Sequence, residues 1–151
     1  MVRVIDNTAK RFLLLKRYPQ AKVAYERALT IQRSNTSISS EQQEQLSAPI
    51  YHQLGRVAQD QRQWEEAEKN YLEALRIYAH FQDQHNLGIT LQSLARIVPE
   101  CPGLAGRVAE ILGMTADEAN ALHAYVIHQE WKAYKDDQAR LGSRPASAGQ
   151  P

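Results

Sequence analysis

Tyr51-x2-Leu54-Gly55-x2-Ala58, followed by Trp64-x2-Ala67-x3-Tyr71-x2-Ala74-Leu75, decides the fold of this chain. In the second half of that stretch, aromatic and small residues are spaced 3, 4 and 3 apart. Residues so spaced fall on one stripe of an α-helix. Small side chains on the stripe let a neighbouring helix approach closely, and the flanking rings fill the gaps beside the contact. The stripe has an earlier copy, Tyr18-x2-Ala21-x3-Tyr25-x2-Ala28-Leu29. Twelve residues before Ala21 and before Ala67 stand two more small residues, Ala9 and Gly55. A stripe that repeats in this way predicts stacked helices.

Around residues 48–81 an aromatic, Leu-Gly, Ala, a second aromatic and Ala recur at the offsets of the tetratricopeptide repeat. The segment closely resembles that helix–turn–helix unit. The resemblance implies an all-α, right-handed superhelical stack of helix–turn–helix repeats, closed by a C-terminal helical cap. Ala21 and Ala67 are 46 residues apart, and Gly55 and Ala95 are 40 apart, against ~34 for the minimal unit. Such lengthened units resemble the roughly forty-residue kinesin-light-chain-like and bacterial signalling variant.

One repeat domain is expected over residues 1–138. Repeat 1 spans about 2–35, with Thr8 in place of the usual Leu and Pro19 where a missing N–H costs nothing. Repeat 2 spans about 48–81 and a degenerate repeat 3 about 86–113. In the third unit Pro99 ends the first helix early, and Arg107 falls where the second helix should have a small residue. Between repeats 1 and 2, Ser39-x2-Gln42 and Ser40-x2-Gln43 are candidate capping boxes. They predict a long first helix for repeat 2 over 40–61, and a disordered linker is the alternative. Gly113 stops a short helix, and Thr115-x2-Glu118 opens a cap helix over 115–137. Residues 139–151, rich in Ser, Pro, Ala and Gly, are expected to be a disordered tail.

Composition excludes several classes of function. A net charge of +1 gives no push toward nucleic acid or an anionic membrane. One cysteine, Cys101, can build neither an internal disulfide nor a cysteine zinc site. No stretch approaches the ~20 apolar residues of a membrane span, and no signal-peptide core precedes Lys16-Arg17. A cytoplasmic protein is expected. His123 and His128 are five apart, so they do not converge on one ion, and no metal site is expected. No Gly-rich phosphate loop, paired acidic motif or activated nucleophile is present, so the reading is not an enzyme and needs no cofactor.

The resemblance also implies where binding occurs. In tetratricopeptide arrays the first helices line a concave groove that takes an extended or helical segment of a partner protein. Carried over by position, a column just after each small residue holds Lys10, Arg56 and Arg96. Beside it stand Asn7, His52, Gln53 and Gln92, with Asp6 and Ser93 in the same rows. Cations aligned on a concave wall focus field, and Arg can grip a carboxylate with two hydrogen bonds. The expected partner is therefore a protein or peptide with acidic side chains or a free C-terminal carboxylate. His52 is expected to add charge below about pH 6.5. The alternative is a structural or oligomerisation element, the terminal piece of a longer array with no separate ligand.

Overall fold

The structure, a computed structural model, describes residues 2–115, 117–122, 124, 139 and 140. Six α-helices are delimited: α1 Val2–Leu14, α2 Tyr18–Ser34, α3 Ser40–Asp60, α4 Trp64–His80, α5 Gln84–Ile97 and α6 Leu104–Leu112. A 3₁₀ turn, Val98–Glu100, joins α5 to α6 where Pro99 interrupts the pattern. The first five helices pack chiefly on their neighbours in sequence, α1 on α2, α2 on α3, α3 on α4 and α4 on α5, while α6 packs on α4. That is an all-α stack of helix–turn–helix units.

The repeated stripe is the core of the stack. Ala9, Ala21, Tyr25 and Ala28 are fully buried in a first cluster that also receives Ile50, Leu54 and Val57 from α3. Ala58, Ala67, Tyr71 and Leu75 form a second cluster with Leu91, Leu94 and Ile97 of α5. Tyr71 lies so close to α3 that a Cβ on Gly55 would stand 2.6 Å from its Cδ1. Gly55 is therefore the price of seating that ring.

Three helix ends share one geometry. Lys16, Arg62 and Gln82 have positive φ of 55° to 59°. The next amide in each case reaches back five residues: Arg17 N–H to the Phe12 carbonyl, Gln63 to Ala58 and Asp83 to Tyr78, at 2.8–2.9 Å. This is the Schellman ending that glycine usually supplies. Gly113 supplies it at the end of α6, where Met114 N–H reaches the Ala109 carbonyl.

The segment between repeats 1 and 2 is helical from Ser40. Ser39 and Gln42 make the reciprocal capping box. The helix continues through Pro49, whose ring removes one backbone donor. Packing offsets that loss: Ala48 is buried against Ala74, Ile77 and Tyr78, and Glu44 pairs with Arg76 at 2.8 Å.

In the third unit Arg107 replaces a small residue and acts as a strut. Its Nε donates to Glu68 on α4 at 2.7 Å, and Nη2 also donates to Glu68 and, at 2.8 Å, to the Pro102 carbonyl. Arg107 is exposed, so it bridges α4 and α6 from outside without occupying their contact. Buried Cys101, Leu104 and Val108 complete the second cluster. The capping box at Thr115 and Glu118 is formed, and residues 117–122 are helical. Ala119 is fully buried and Leu122 packs on the second cluster. Most of the expected cap helix beyond residue 122 lies outside the described residues. So does the expected tail, apart from Ala139 and Arg140, which are helical.

Candidate partner-binding groove

α3 and α5 are the first helices of repeats 2 and 3, and a cleft of about 390 Å³ lies between them. His52, Arg56, Gln59 and Asp60 recur every three or four residues on one face of α3 and form one wall. Ile89, Gln92, Ser93 and Arg96 do the same on α5, and Tyr71 contributes from α4. Arg56, Asp60, Ile89, Gln92 and Arg96 stay open because other faces of both helices hold the core: Leu54, Val57 and Ala58 on α3, Leu91, Leu94 and Ala95 on α5.

Polar contacts order the cleft. His52 Nε2 lies 3.0 Å from Ser93 Oγ, and the imidazole stands 5.2 Å from the Tyr71 ring at a tilt of 52°. The Tyr71 hydroxyl donates to Gln59 Oε1 at 2.6 Å. Burial pushes that hydroxyl's pKa well up, and Asp60 adds to the rise. Arg56 and Arg96 both pull it back, so the two guanidinium groups act on one oxygen from the two walls.

His52 differs from its expectation. Its pKa lies below the ordinary 6.5, first because burial disfavours the imidazolium and then because Arg56 repels it. Its charging is thereby displaced to more acid conditions.

Of the residues expected in the groove, the cleft brings together His52, Arg56, Gln92 and Arg96. Arg56, Gln92 and Arg96 are exposed. Asn7 and Lys10 lie on α1, exposed and outside this cleft. Lys10 Nζ pairs with Asp6 at 2.9 Å, one helical turn away. Gln53 is half-buried, and its Oε1 is enclosed without a hydrogen-bond partner among the described residues. Gln59, Asp60 and Ile89 also line the cleft, and the sequence reading missed them. Their spacing of three and four from Arg56, and of seven from Arg96, was the available signal. Tyr71 was read as core alone, yet it also lines the cleft.

Among the described residues no group of three or more His, Cys, Asp or Glu is placed to hold a metal ion. No described helix is long and apolar enough to cross a membrane. No curated protein and no solved structure matches the chain significantly. Residues 46–98 match the family model of the tetratricopeptide repeat. The match runs from α3 through the whole of α4 and α5, the helices that build the cleft. Tetratricopeptide repeats are a non-catalytic class of protein–protein interaction modules. Residues 46–98 are thus a tetratricopeptide-repeat segment.

Proposed function

We propose that the protein is a non-catalytic interaction module whose α3–α5 cleft holds an acidic segment, or the C-terminal carboxylate, of a partner protein. The observation that carries this reading is that Arg56 of α3 and Arg96 of α5 line one cleft from its two walls, with Tyr71 between them. Two guanidinium groups so placed can each offer paired donors to a carboxylate. Gln92 adds side-chain donors and an acceptor for a peptide backbone beside them. Neutral His52, held by Ser93, stiffens the wall. Asn7 and Lys10 on α1, and Gln53 next to His52 on α3, belong to the same proposed groove, which would take a segment longer than the cleft. A cytoplasmic setting is part of the proposal, in keeping with the lone buried thiol of Cys101.

The test is titration of the protein with a fluorescent acidic peptide ending in a free carboxylate, beside its amidated twin. Affinity is expected to fall with salt, since exposed charges are screened over ~8 Å at physiological ionic strength. Arg56→Glu and Arg96→Glu should each weaken binding at least about tenfold, an effect of ~1.4 kcal/mol. Binding that ignores salt and both reversals would overturn the reading.

A further inference from the structure

A second depression, of about 560 Å³, runs between α1 and α2 on the outer edge of repeat 1 and shares no lining residue with the cleft. Val4, Thr8 and Phe12 line it from α1, and Val23, Ala24 and Arg27 from α2. Val4 and Val23 are 67% and 65% exposed, unusual for apolar side chains that adjoin one another on a helix pair.

The internal repeat indicates what such a face accepts. Lys16 and Arg62, 46 residues apart, occupy the same turn with the same positive φ. That interval places Val4 and Thr8 where repeat 2 has Ile50 and Leu54. Ile50 and Leu54 are buried in one cluster with Tyr25 and Ala28 of α2. One repeat along the same chain, then, this face is covered by a helix. The wall of the trough goes further than stacking requires. Val23 and Ala24 stand where repeat 2 has Lys69 and Asn70, so both sides of the trough are apolar.

Charge narrows the choice of occupant. Residues 1–34 carry eight Lys and Arg against two Asp and Glu; the rest of the chain carries ten against fifteen. The near-neutral total conceals a strongly basic first repeat. Arg27 lines the trough. Arg11 holds the position of Val57, another residue that repeat 2 buries beneath α2. Neither Arg11 nor Arg27 makes an ion pair with any described residue.

We propose that the α1–α2 trough seats an amphipathic α-helix of a partner protein, with Asp or Glu flanking its apolar stripe. A second copy meeting the same face would set two basic surfaces against each other, which electrostatic complementarity disfavours. A flat anionic lipid surface does not fit a concave trough. The helix would bury Val4, Phe12 and Val23, and its acidic flanks would meet Arg11 and Arg27.

The probe is a stapled helical peptide copying Tyr18–Ser34, the helix that covers the equivalent face, with Lys22→Glu, Arg27→Glu and Arg33→Glu. The control is the same stapled peptide with its native basic residues. Calorimetry against the full chain should show the acidic peptide binding at least about tenfold tighter than the control. Val23→Glu and Arg27→Glu in the protein should each weaken it about tenfold or more. Both positions are exposed, and unchanged thermal melts would show that the fold is kept. Arg56→Glu should leave this binding unaltered, which separates the trough from the cleft. Equal binding of the two peptides, or indifference to Val23→Glu, would overturn the proposal. So would self-association in sedimentation, or retention on phosphatidylserine vesicles, that Val23→Glu abolishes while the acidic peptide fails to bind.

Discussion

His52 Nε2 and Ser93 Oγ, 41 residues apart in the chain, meet at 3.0 Å and tie the first helices of repeats 2 and 3 together. Burial and the nearby Arg56 charge favour the neutral imidazole at this contact. Protonation adds a second N–H donor and a charge that burial and Arg56 both oppose.

The pH dependence follows from that direction. The folded pKa of His52 lies below 6.5, so the unfolded chain takes up the proton first as pH falls. This contribution to stability is full above about pH 6.5. It is lost progressively below that value until the folded-state pKa is passed. NMR should show one imidazole with a midpoint under 6.5, absent in His52→Gln, and the variant should lose less melting temperature on acidification. A midpoint at or above 6.5 would contradict the buried, Arg-adjacent placement.

Gly55→Ala should destabilise the protein. In an open helix the change is worth ~1 kcal/mol of stabilisation. Here the new methyl would stand 2.6 Å from Tyr71 Cδ1 and within 3 Å of two further ring carbons. The ring must shift and part of the cleft moves with it, at an expected cost of ~1–3 kcal/mol. Urea denaturation decides the sign.

Ala67→Leu tests the second helix of repeat 2 in the same way. Ala67 has no exposed surface and sits in the cluster shared by α3, α4 and α5. Overpacking should cost ~1–3 kcal/mol and reduce the cooperativity of unfolding. A variant that melts like the parent would mean that α4 is not seated as described.

Arg62→Gly should act in the opposite direction. Arg62 is exposed and holds a φ of 59° in the turn between α3 and α4. A left-handed conformation costs a side-chain-bearing residue roughly 1–2 kcal/mol, and glycine avoids that at an entropic cost of ~0.5–1 kcal/mol. The net expectation is a gain of up to about 1 kcal/mol, read from a raised melting temperature.

The cap is tested by ending the chain after Gly113. Leu122 then no longer packs on the second cluster. The shortened protein should expose Leu104 and Val108 and aggregate, as light scattering would record. If it stays monomeric with an unchanged melt, residues 117–122 do not act as a cap.

Much of this protein was legible in its sequence because the deciding forces are local and periodic. The spacing of Tyr18, Ala21, Tyr25 and Ala28, repeated at Trp64, Ala67, Tyr71 and Ala74, names one face of each second helix. A helix with such a face must bury it against its neighbours. Capping at Ser39 and Thr115 and the stop at Gly113 are also short-range, since each is a hydrogen bond between residues a turn apart. Tertiary structure alone decided the rest. Whether residues 40–47 form helix or linker turned on Ala48 meeting α4 and on Glu44 reaching Arg76, 32 residues away. Arg107 looked like a defect until Glu68 and the Pro102 carbonyl were within its reach. The cation column read from register became a cleft with Arg56 and Arg96 on facing walls, while Lys10 turned to Asp6. Helical period tells which residues share a face. How far apart two faces stand, and which charges meet across them, depends on how the helices stack, and that is set by side-chain volumes distant in the chain.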